Sequence, residues 1–142
     1  WHGMFLNDGN PTEAVDVMQY CWTGVWPLSR APSIKNIHLE DKNWQKEHRV
    51  SPSTKVKLGI EYEQYNNKNL ETFYRLFPEA YTNKIGGDRQ ETPEEIKLEI
   101  IQKSESGIIF KTPKKKGAYR IFAYIKNDTE QCSVANIPFL VE

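Results

Sequence analysis

No run of apolar residues in this 142-residue chain approaches the length needed to cross a bilayer, so no transmembrane helix is expected. A signal-peptide pattern is also missing, and the opening Trp1 reads as the start of a mature or clipped segment. Net charge is absent too. Nineteen Lys and Arg balance nineteen Asp and Glu, which removes the electrostatic reason to gather on nucleic acid or an anionic membrane. The one basic cluster, Lys114-Lys115-Lys116, lies between Pro113 and Gly117 without interleaved aromatics and reads as a solvated turn. Cysteine is scarce. Cys21 and Cys132 both have apolar neighbours and are expected to be inert buried thiols, with a single long-range bridge as the alternative. The three histidines, His2, His38 and His48, lack any metal-ligand or triad neighbourhood; His38 is assigned to a strand, and the other two to polar, exposed stretches. Gly-rich phosphate loops, C-x-x-C and G-x-S-x-G are likewise missing, so no catalytic residue, metal ligand or cofactor is expected.

What is present divides into two parts, a lead-in at 1–30 and a β domain at 31–142. Asn7-Asp8-Gly9-Asn10 reads as a turn, with Asn10 capping a helix whose first position is Pro11 and whose capping-box acid is Glu13. Ala14, Val17, Met18, Cys21 and Trp22 then form the i, i+3, i+4, i+7, i+8 stripe of an amphipathic helix, stopped at Thr23-Gly24. A helix this short needs a surface for that stripe, either the β domain or a domain beyond this chain. Residues 26–32 carry two prolines and read as a linker.

From Ser33 onward the apolar period changes to two. Strands are expected around Ile34–Leu39, Val56–Tyr62, Thr72–Phe77, Ile96–Ile100, Ile108–Phe110, Tyr119–Ile125 and 132–141, with a long loop over 78–95. The Tyr119–Ile125 strand is apolar on both faces and should be covered on both. Seven short strands with regular turn signals predict an all-β, immunoglobulin-like two-sheet sandwich preceded by one short helix.

Aromatics are the remaining chemical signal: four Trp, seven Tyr and six Phe. Exposed rings stack on sugars, and Trp44, Tyr65 and Tyr81, in polar or loop stretches, are the candidates for such a platform. The competing explanation is that large aromatics fill a sandwich core. The pair Glu94-Glu95 suggests glycosidic acid/base work only if the carboxyls face each other across a cleft, which sequence neighbours rarely do. Asn7–Asn10 lacks the later ligands of a calcium loop.

Two segments together resemble a known family. Gly3-Met4-Phe5, Asp8-Gly9 and Pro11 are similar to the loop that follows the last barrel strand in glycoside hydrolase family two and its relatives, where the final helix comes next. Residues 31–142 are similar to the C-terminal Ig-like domain behind such TIM barrels in secreted bacterial enzymes of carbohydrate metabolism. The matching features there are Phe110–Pro113, Gly117–Tyr124 and Ala135–Phe139. The resemblance implies a C-terminal, non-catalytic accessory piece of a secreted or periplasmic glycosidase. The two catalytic carboxylates would lie on earlier barrel strands. Trp1 would line the sugar subsite, and Val17, Met18 and Trp22 would pack on the barrel. The partners implied are the catalytic barrel and, as an alternative, a polysaccharide bound by exposed aromatics. An Ig-like protein-interaction domain unrelated to sugar is the third reading.

Overall fold

Alternation along the chain builds the sheets. In β4 (Lys55–Glu63), Val56, Leu58 and Ile60 are buried while Lys55, Lys57 and Glu61 are exposed, as in a strand covered on one side. The computed structural model describes residues 3–43, 45–65, 69–79 and 93–142. Among these, six more strands of five residues or longer occur: β1 (Ser33–Leu39), β5 (Leu70–Pro78), β6 (Glu99–Ser104), β7 (Gly107–Lys111), β8 (Gly117–Asn127) and β9 (Cys132–Val141). Two-residue strands β2 (Lys42–Asn43) and β3 (Arg49–Val50) complete the set.

One sheet has the order β2-β1-β4-β7-β6 and the other β3-β9-β8-β5, in a sandwich-like arrangement. Lettering the seven longer strands A to G in chain order gives A-B-E-D and G-F-C, the strand order of a constant-type immunoglobulin sandwich. Register follows burial. Val56 pairs with Phe110 and Leu58 with Ile108 across β4 and β7, while β3 runs parallel to the end of β9. Near the start of β8 the buried Tyr119 donates its hydroxyl to the Lys115 carbonyl at 2.7 Å. This is the position and bond of the tyrosine corner in such sandwiches.

The chain divides into two units. The first comprises Trp1–Ile37, Ile60–Phe73 and Ala123–Ala135; the second comprises His38–Gly59, Tyr74–Phe122 and Asn136–Glu142. In the first, Ala31, Ile37, Ile60, Ala123, Tyr124, Ile125 and Cys132 are buried. In the second, Leu58, Leu76, Phe110, Ile121, Ile137 and Val141 are buried, with Phe139 stacked on Tyr119 and edge-on to Phe110. The expectation that β8 is covered on both faces is met in part: Tyr119, Ile121, Ala123 and Ile125 are buried on one face, while on the other Tyr124 is buried and Ala118, Arg120, Phe122 and Lys126 are half-buried. Tyr124 stacks on Phe73 at 4.5 Å in the first unit, and Phe122 meets Phe77 edge-on in the second.

Several local expectations are corrected. The helix α1 spans Glu13–Thr23 with Thr12 at the N-cap, two residues later than the cap expected at Asn10. Asn10 and Pro11 serve backbone pairing instead: Leu6 N–H donates to Asn10 O, Thr12 N–H to Met4 O, and Cys132 N–H to Pro11 O. The Asp8 carboxylate accepts from the Asn10 backbone and side-chain amides, which closes that turn. Strand β6 begins at Glu99, later than expected, and is exposed throughout, while Ile96 forms a bridge with Leu76 on β5. His48 is buried, not exposed, and Cys21 is exposed, not buried. Both thiols are free, and burial pushes that of Cys132 up to about 12.

Candidate docking face of the lead-in helix

Helix α1 is held by its polar side. Its C-terminus is closed by Gly24, whose φ of 72° lets the amide turn back to Tyr20 O at 2.8 Å. Thr12 and Asp16, one turn apart, are the buried positions at its N-terminal end, and Asp16 is only 3% exposed. The Asp16 carboxylate accepts the Ala31 amide at 2.7 Å and a longer bond from the Gln131 side chain. Burial raises its pKa, against the lowering effect of the Ala31 bond and the Arg30 charge.

The opposite, apolar side is left open. Ala14, Val17 and Cys21 are exposed, Met18 is half-buried, and Trp22 is 74% exposed. Beyond the helix, Val25 and Leu28 are exposed as well, Leu28 at 94%. The stripe read from the sequence therefore exists as a face but does not lie on the unit that carries it. Solvated large side chains at this density are unusual in a folded chain, where single exposed apolar residues are ordinary and groups of them mark interaction surfaces.

The sugar-platform candidates fare differently. Trp1, Trp44 and Tyr81 lie outside the described residues. Tyr65 is half-buried and has the Arg30 guanidinium over its ring at 3.7 Å, while its hydroxyl donates to Glu63 at 2.9 Å. One face of that ring is thus taken by protein. Most other aromatics are consumed by packing, as the core explanation requires. Among the described residues Phe5, Tyr20, Trp22 and Trp26 in the lead-in are the exposed ones, and of these only Trp22 was singled out in the sequence as a packing residue. The Tyr20–Trp26 pairing was illegible there, because it depends on how the chain turns after Gly24.

Of the acidic pair, Glu95 is bound to Arg75 at 2.7 Å. A shallow groove of about 640 Å³ is lined by His48, Glu79, Arg120 and Phe139 among others. Two of its charges are engaged with one another: Arg120 donates to Glu79 at 2.8 Å and also to Asn136. His48 lies against the Asn43 carbonyl at 3.0 Å, and burial lowers its pKa. Among the described residues no group of three or more His, Cys, Asp or Glu could hold a metal ion, and no helix is long and apolar enough to cross a membrane.

No family model matches the chain, and no curated protein matches it. The likeness to glycoside hydrolase family two accordingly rests on the residues quoted for it.

Proposed function

We propose that this chain is a non-catalytic accessory sandwich that buttresses a neighbouring catalytic barrel, with the outer face of α1 as its seat. The observation that carries this reading is the inverted helix. Asp16 anchors it by the polar side, and Val17, Trp22, Val25 and Leu28 are presented outward. The barrel-end motif Gly3-Met4-Phe5, Asp8-Gly9, Pro11 supports a family-two-like glycosidase as the parent, which makes the barrel the partner and the sugar chemistry its property. Edge-strand recognition is the less favoured reading. The exposed edge β6 is bulged at Ile101 and carries Glu99 and Lys103, features that discourage strand addition.

A carbohydrate-binding module is the second reading, favoured by the exposed lead-in aromatics Phe5, Tyr20 and Trp22. One pair of experiments separates the two. Hydroxyl-radical footprinting of Trp22 in this chain and in the parent polypeptide containing a barrel should show protection only in the latter. Equal reactivity in both would remove the buttress reading. In affinity electrophoresis, retardation by a polysaccharide that Trp22→Ala abolishes would establish the binding module instead.

A further inference from the structure

Four planar groups of the first unit lie in a column. Tyr20, in the last turn of α1, stacks on Trp26 with ring centroids 4.4 Å apart and planes at 13°. The Arg30 guanidinium carbon lies 3.7 Å from the Trp26 centroid and 3.7 Å from that of Tyr65. Two groups so near one ring centre cannot share a face, so Tyr20 and Arg30 occupy opposite faces of Trp26. By the same argument Trp26 and Tyr65 occupy opposite faces of the guanidinium. The order is Tyr20, Trp26, Arg30, Tyr65, running from the helix through the connecting segment to the residues that follow β4.

The column is braced where it meets the segment leading into β1. Arg30 O accepts from the Asn127 side chain at 3.0 Å, and Ser29 bonds Gln131 at 2.8 Å. Asn127 is itself buried, its side-chain Oδ1 accepting from the backbone amides of Thr129 and Gln131. Residues 29–31 are therefore tied to the turn between β8 and β9, and Asp16 bonds Ala31 directly. At the outer end, the Tyr65 hydroxyl bonds Glu63, which also pairs with Lys35.

We propose that the column Tyr20–Trp26–Arg30–Tyr65 is a strap that fixes α1 on its own unit and makes the Pro-marked stretch 26–32 a rigid strut, not a flexible spacer. Arginine suits the central rung because its guanidinium is flat, permanently charged and weakly hydrated, so both faces can be covered by rings. An ammonium offers no such plane. The strap sets the direction in which the apolar side of α1 points, whatever that side meets, so it holds or fails independently of the buttress reading.

Hydrogen exchange on the isolated chain tests it. In Arg30→Ala, amides of Val17–Thr23 should exchange about tenfold faster or more, the size set by losing a partly desolvated cation–π pair, while amides of β8 stay unchanged. Arg30→Lys should recover only part of the protection. Arg30 adjoins buried residues, so Tyr65 supplies a second test at the outer rung. Tyr65→Leu should show the same selective loss, and Tyr65→Phe, which keeps the ring and drops the Glu63 bond, should behave as the parent. Helix protection unchanged in both Arg30→Ala and Tyr65→Leu, loss in Tyr65→Leu that runs in step with β8, or loss in Tyr65→Phe would overturn the proposal.

Discussion

Gly107, where β7 begins, has a φ of +145°, and a Cβ there would sit 2.0 Å from the Leu58 carbonyl oxygen. Backbone cannot yield as a flexible side chain would. Gly107→Ala should therefore lower stability by more than about 2 kcal/mol in urea denaturation; a smaller loss would mean that the β4–β7 pairing tolerates a shift. His48 poses a different question, because burial holds its pKa below the ordinary imidazole value. Below the ordinary value the unfolded chain binds a proton that the folded chain resists, so stability contributed by neutral His48 is present above that value and lost as pH falls through the folded one. The urea midpoint should drop between pH 7.5 and 5, and a His48→Gln variant should show a flatter profile. Neither the burial of His48 nor the close approach at Gly107 could be read from the sequence. Burial of His48 comes from β3 pairing with the distant β9, and the clash at Gly107 comes from a register visible only once β4 and β7 are side by side.

Helix α1 is the element whose sequence signal was clear and whose placement was not. Its apolar stripe and its Gly24 stop were both legible, since they depend on a 3.6-residue period and a left-handed cap. Which side faces the protein was decided by Asp16, and a lone aspartate among helical polar residues gives no warning that it will meet a backbone amide fifteen residues on. Two consequences can be checked. Trp22→Ala should leave the stability of the isolated chain within about 0.5 kcal/mol, as for other exposed side chains, when followed by thermal or urea unfolding. Asp16→Asn should alter the pH dependence in a defined sense. With its folded pKa raised, the stability linked to protonated Asp16 is full below the unfolded carboxyl value and lost as pH rises through the folded one. The stability of the parent minus that of Asp16→Asn should thus decline with rising pH across the carboxyl range. A difference that grows with pH would show that the Ala31 and Arg30 interactions outweigh burial.

For the whole molecule, the buttress reading predicts a chain that hides its own polar anchors and displays apolar surface. The isolated chain should bind a hydrophobic dye such as ANS, and Trp22→Ser with Leu28→Ser should abolish most of that signal while near-UV dichroism of the sandwich is retained. Dye binding unaffected by these changes would place the exposed apolar surface elsewhere. Much of the architecture was determined by the sequence alone. Six of the seven alternating segments yielded longer strands close to their expected places, since a period of two along a half-buried strand is a local property that each segment carries by itself; β6 lies later than its segment and is exposed. Sheet order and the outer rung of the column, Arg30 on Tyr65, were decided only by tertiary structure. Each joins residues tens of positions apart, and no local periodicity encodes which distant ring, carbonyl or carboxylate will be waiting there.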